Sequence, residues 1–153
     1  MSSPLYQVRL IVDNAYRERV RSRKLAALLR RALDSEEVPA PCAISVVVTS
    51  DAAVRDLNRR FRRQDTATDV LSFGMEDDAG FVAGEGPPHL GEIVISFPTA
   101  KRQAREAGHH VDAELEHLLV HGVLHLLGYD HERLRDQTIM RAREEALLGR
   151  TAH

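Results

Sequence analysis

The run HGVLHLLGYDH, from His121 to His131, restricts this chain more than any other part of it. Apolar residues separate the first two histidines, and Gly128 stands where a helix commonly ends on a left-handed residue, so the segment reads as the last turns of a helix followed by a sharp turn. His121 and His125 are four residues apart. On a helix they share one face, about 6 Å apart along the axis, which suits two nitrogen ligands on one zinc ion. A chain reversing at Gly128 brings His131 back over that face as a third ligand. Three neutral histidines leave a fourth position for water, the arrangement of a catalytic zinc site.

Other histidines compete. His117 precedes His121 by four residues, but His117 and His125 would lie about 12 Å apart, too far for one ion to take all three. The turn that follows favours His121 and His125. His109, His110, His117 and His153 read as surface residues, and His89 carries no assignment. The same H-x-x-x-H-x-x-G-x-x-H spacing occurs in metzincin peptidases, which place a glutamate general base directly after the first histidine. Here that position is Gly122, which accepts no proton, so a peptidase would lack the group it most needs. Asp130 orients a ligand, assists the water or caps the helix end. The general base is unassigned.

The remainder fits one domain spanning residues 1–153, of which 43% are hydrophobic and 29% charged. Tyr6, Val8, Leu10 and Val12 alternate with other residues, the period of a strand with one buried face. From Ala15 to Leu33, Val20, Leu25, Leu28, Leu29 and Leu33 recur at helical spacing opposite a basic face rich in arginine. The β-branched run CAISVVVT predicts a second strand. A helix capped by Ser50 or Asp51 then runs through Phe61, turning Val54, Leu57 and Phe61 inward. TDVLSF, Thr68 to Phe73, and GEIVISF supply two more strands around a long acidic Gly/Pro-rich loop, Met75 to Gly91. Pro98 begins the helix TAKRQAREAG. Helices from about Val111 to Leu127 and from about Arg133 to Leu148 complete an α+β fold: a small mixed sheet of about four strands packed with about five helices.

Net charge of −2 excludes a globally basic nucleic-acid-coating protein. The basic residues are nonetheless almost all arginine, only Lys24 and Lys101 departing among 21. That bias reflects either genomic base composition or the bidentate fit of guanidinium to phosphate. Cys42 stands alone, so an internal disulfide and a cysteine-rich zinc finger are both excluded. No apolar run is long enough to span a bilayer, and the N-terminus lacks the order of a secretory signal, so a cytoplasmic location is expected. Arg59, Arg60, Arg62 and Arg63 place four positive charges within five residues. Phosphate rewards such a cluster, because paired guanidinium hydrogen bonds stabilise charge on its oxygens.

These residues resemble the YbeY family of bacterial endoribonucleases. HGVLHLLGYDH matches the family's metal motif, and LN-x-x-F-R leading into TDVLSF matches its other signature. LGEIVIS, Leu90 to Ser96, and the EL-x-x-L-x-VHG run from Glu114 fall in the expected order. The resemblance implies one zinc ion (Zn2+) on His121, His125 and His131, and carries the family's functional arginine onto Arg62. It further implies action on single-stranded RNA, formation of the 3′ end of 16S rRNA from its precursor, ribosome quality control, and the ribosome or small-subunit proteins as partners. No membrane and no DNA partner is expected. Glu92 departs from the aspartate usual after LG. The competing functions are a metallopeptidase-like zinc hydrolase and a non-catalytic ribosome-assembly factor with structural zinc.

Overall fold

A computed structural model describes residues 6–62, 68–74, 87–129 and 134–149. In chain order the elements are β1 (Tyr6–Val12), a short 3-10 helix (Asn14–Arg19), α1 (Ser22–Ser35), β2 (Cys42–Thr49), α2 (Asp51–Arg62), β3 (Val70–Gly74), β4 (His89–Ser96), α3 (Phe97–Ala107), α4 (Val111–Leu126) and α5 (Leu134–Leu148). The α+β reading holds, with four strands and five α-helices among the described residues. The strands form one mixed sheet in the order β1-β2-β4-β3. β1 and β4 both run parallel to β2, while β3 is antiparallel to β4 and occupies an edge.

Strand alternation decides which residues each layer covers. On one face Ile44, Val46, Val48, Ile93 and Ile95 pack with α1, α3, α4 and α5 into the larger core. On the other, Leu71, Phe73 and Val94 pack with Val54 of α2. Helix α4 lies at the centre of the thicker layer, touching α1, α3, α5, β3 and β4. Burial on nearly every side explains why most of its sequence is apolar.

The expected helix from Ala15 to Leu33 is broken. Asp13 caps the 3-10 helix by accepting a hydrogen bond from the Ala15 N–H at 3.0 Å. Val20 then adopts extended backbone and is buried, so α1 starts only at Ser22. Strand β4 begins two residues before GEIVISF, at His89, through a bulge opposite Ala43 and Ile44. It also stops one residue sooner, because the Ser96 side chain accepts from the Thr99 N–H and caps α3. Pro98 therefore falls in the first turn but is not its first residue. Phe61, expected inside, is 37% exposed and meets Phe73 edge-on at 5.7 Å. The acidic loop between 75 and 86 lies outside the described residues.

Candidate metal centre

Helix α4 sits so close to the sheet that Gly122 has a packing reason to be glycine. A Cβ there would lie 2.9 Å from Ile93 Cγ2 and 3.2 Å from Ser72 Oγ. The Ser72 hydroxyl donates to the Gly122 carbonyl at 3.0 Å, fixing α4 against β3. A glutamate at position 122 would enter the core, so the peptidase pattern fails on space as well as on chemistry.

One helical turn apart on the same helix, His121 and His125 bring their ring centroids within 4.8 Å at 71°. The helix ends beyond them as the sequence requires, with Gly128 at φ +99° and its N–H bonded to the His125 carbonyl at 3.1 Å. The Tyr129 hydroxyl donates to Glu36 at 2.6 Å, tying the start of the turn to the end of α1. Arg143 Nε donates to the same Glu36 carboxylate at 2.9 Å, which draws α5 to this corner. His131, Asp130 and Arg63 lie outside the described residues.

Glu144, the neighbour of Arg143, is the residue that sequence reasoning missed. It is buried, and its Oε2 lies 2.6 Å from His121 Nδ1. His117 Nε2 lies 3.7 Å from its other oxygen. His117 is not a surface residue: its side chain is 12% exposed and sits between Glu144 and Glu114, whose Oε2 is 3.9 Å from His117 Nδ1. His109 Nε2 in turn approaches Glu114 Oε1 at 2.9 Å. Alternating histidines and carboxylates thus run along α4 toward His125. His110, by contrast, is exposed and caps α4 by accepting from the Asp112 N–H.

Burial alone would push Glu144 up, but hydrogen bonds and charge from His117 and His121 outweigh it and hold the carboxyl at about 2. Burial alone would likewise lower His117. The flanking Glu114 and Glu144 reverse that and raise it to about 9, so His117 is an imidazolium at neutral pH. An ionised Glu144 can only accept, so His121 Nδ1 is the donor, and in the neutral ring this tautomer leaves the Nε2 lone pair for a cation.

His117, His121 and Glu144 place one donor atom each within 4.8 Å of one another, a group able to hold a metal ion. The nitrogen and carboxylate donors suit zinc. In the observed geometry, however, 2.6 Å between Glu144 and His121 is a hydrogen bond. Two donors about 2.0–2.1 Å from one tetrahedral ion would sit roughly 3.3 Å apart. Glu144 therefore orients His121, as a carboxylate does behind a metal-bound imidazole.

The arginine cluster divides. Arg59 and Arg60 are both paired to Asp56, at 2.7 and 3.6 Å, on an exposed face. Arg62 is the last residue of α2, and its side chain lies outside the described part of the structure. Successive residues of the edge strand β3 serve its two faces: Ser72 binds Gly122 of α4 next to His121, and Phe73, on the α2 side, meets Phe61 next to Arg62. Glu92 pairs with Phe73 across the sheet, and burial raises its carboxyl. His89 opens β4 with its Nε2 3.4 Å from Ser45 Oγ, and burial lowers its pKa. None of the described helices is long and apolar enough to cross a membrane.

Comparison with known proteins agrees with this architecture. The chain is 50% identical over 130 residues to a protein named Endoribonuclease YbeY from Roseiflexus castenholzii, covering 81% of this chain and 82% of that one. It is 45% identical over 130 residues to the protein of the same name from Pelotomaculum thermopropionicum, covering 82% and 86%. The solution structure of TM1509 from Thermotoga maritima matches with a TM-score of 0.56 at 27% identity, covering 94% of this chain and 90% of that one. The family model described as Endoribonuclease YbeY matches residues 11–152. With nearly its whole length matched, this chain belongs to the Endoribonuclease YbeY family.

Proposed function

We propose that this chain, as one domain over residues 1–153, is a metal-dependent endoribonuclease that cuts single-stranded RNA with one zinc ion held by His121, His125 and His131. The supporting observation is the pair His121 and His125, one helical turn apart at the end of α4 with ring centroids 4.8 Å apart, beside the turn at Gly128. When bound, zinc supplies Lewis acidity and activates water near neutral pH.

The protein's own groups then have separate tasks. Glu144 keeps the proton on His121 Nδ1 and presents Nε2 as a ligand. Arg62 stabilises negative charge on the phosphorus oxygens. Gly128, at positive φ, and Tyr129, bonded to Glu36, set how the chain leaves α4. The cellular reaction is maturation of the 16S rRNA precursor at its 3′ end, with a role in ribosome quality control, the ribosome or small-subunit proteins as partners, and a cytoplasmic location.

The test is labelled single-stranded RNA and an unstructured peptide, each incubated with zinc-loaded protein, chelated protein and the His125→Ala variant prepared identically. RNA cleavage should occur only with zinc-loaded, unaltered protein. Peptide cleavage would overturn the nuclease reading, and metal-independent RNA binding without cleavage would indicate an assembly factor.

A further inference from the structure

The basic segment before and within α1 takes no part in the site described above. Between Arg17 and Lys24 the chain carries Arg17, Arg19, Arg21, Arg23 and Lys24 against the single acid Glu18. Arginines at every second position would scatter around a continuous helix. Here the break at Val20 interrupts the helical repeat between Arg19 and Arg21. Val20 is extended and turned into the core, so Arg19 and Arg21 on either side of it are both exposed, as are Arg17, Arg23 and Lys24.

Local packing holds part of this surface in place. Tyr16 stacks on Phe97 with centroids 4.7 Å apart at 20°, and the Arg19 guanidinium lies 5.0 Å from the centre of the same ring. Phe97 is buried, so Tyr16 and Arg19 form an aromatic and cationic surface over it. Arg21 and Lys24 pair with Asp112 and Glu116 on the first turns of α4, at 3.3 and 3.4 Å. Among the described residues no carboxylate pairs with Arg17, Arg19 or Arg23. Three exposed guanidinium groups on one short segment, that of Arg19 beside the Tyr16–Phe97 stack, complement a phosphate backbone with bases available for stacking.

We propose that Arg17, Arg19 and Arg23, with Tyr16, form a second docking surface for single-stranded RNA, separate from the histidine site. It rests on the nuclease reading only for the identity of its occupant. Asp112, which anchors Arg21, precedes His125 by thirteen residues of α4, which places the patch about 20 Å from that histidine along the helix axis. A long strand cut at the histidines can reach it, whereas a very short one cannot. The surface therefore adds affinity for long RNA without touching the bond that is broken.

The experiment measures binding of a labelled 25-nucleotide unstructured RNA to chelated protein, so that cleavage plays no part. The variants are Arg17→Gln/Arg19→Gln/Arg23→Gln, and Arg17→Gln/Arg23→Gln, which spares the contact with Phe97. Loss of three phosphate contacts should lower the slope of log affinity against log salt by about 2. The triple variant should also bind at least about tenfold more weakly at low salt, with the double variant intermediate and melting temperatures unchanged. A slope and affinity equal to wild type in either variant would overturn the proposal, whether or not the protein cuts RNA. Loss of binding to a poly-glutamate peptide with RNA binding intact would also overturn it, assigning the surface to an acidic protein. If the RNA slope falls while wild-type protein with zinc cleaves nothing, the docking surface stands and the nuclease reading fails.

Discussion

Replacing Glu144 by glutamine preserves shape and removes charge where the buried network meets His121, the proposed metal ligand. The carboxylate accepts from His121 Nδ1 at 2.6 Å from a side chain that is 7% exposed, so solvent cannot substitute for it. A glutamine amide still offers a neutral oxygen, but its nitrogen equally offers a donor, and the preference for the Nδ1–H tautomer weakens. Loss of such an outer partner typically costs 10–100-fold in metal affinity, which is about 1.4–2.7 kcal/mol. Competition against a chromophoric chelator at constant pH measures this directly, with His125→Ala as the variant that removes a proposed ligand outright. His117→Ala separates the two arrangements. If Glu144 orients His121, the His117 variant keeps zinc while Glu144→Gln weakens it. Equal, complete loss in both would place His117 and Glu144 in the ligand set, and unchanged affinity in Glu144→Gln would refute the orienting role.

Three further outcomes follow from other parts of the molecule. Gly122→Ala should lower the melting temperature, because overpacking Ile93 at 2.9 Å costs about 1–3 kcal/mol against a gain of roughly 1 kcal/mol in helix propensity; a raised melting temperature would show that the helix shifts freely. Arg62→Ala should retain zinc and stability while losing most RNA cleavage, and Arg62→Lys should recover little, since an ammonium lacks the paired donors; full activity of the lysine variant in a cleavage assay would contradict this. Metal-free protein should be most stable between about pH 4.5 and 6.5 in thermal melts across pH. Glu144, held at about 2, loses its contribution as pH falls from 4.5 toward 2, and His117, raised to about 9, loses its own as pH rises from 6.5 toward 9.

What could be read from the sequence was what depends on neighbours along the chain. β1 was legible residue for residue because alternation is local, and so was the end of α4, where Gly128 adopts the expected positive φ. The break at Val20 was not, since its apolar position fits a helical stripe and only the packing of Tyr16 on Phe97, far along the chain, shows otherwise. Phe61 also fits the stripe of α2, yet it lies at the helix end, where the sheet no longer covers it and Phe73 provides only an edge contact. Glu144 depends on how α5 crosses α4. One signal for it did exist: Met140, Glu144 and Leu147 occupy one face of α5, and the two apolar members are buried. A carboxylate on an apolar stripe requires a buried partner, and α4 offers His117, read from the sequence as a surface residue.

The same reasoning explains why the site is built into the core and not laid on the surface. Glu114, Glu144 and His117 are largely buried beside leucines that would pack there without charge. Replacing a buried ion pair by apolar side chains is often neutral or stabilising, so stability alone does not account for these residues. Their value lies in direction. α4 is held on several sides, by the Ser72–Gly122 contact toward the sheet and by the corner of Glu36, Tyr129 and Arg143 toward α1 and α5. Arg143 fixes the register of α5 one residue before Glu144, so the carboxylate meets His121 and not the next turn of α4. A ligand held in this way has its tautomer and ring plane set before any metal arrives. A flexible surface histidine would have to acquire both on binding.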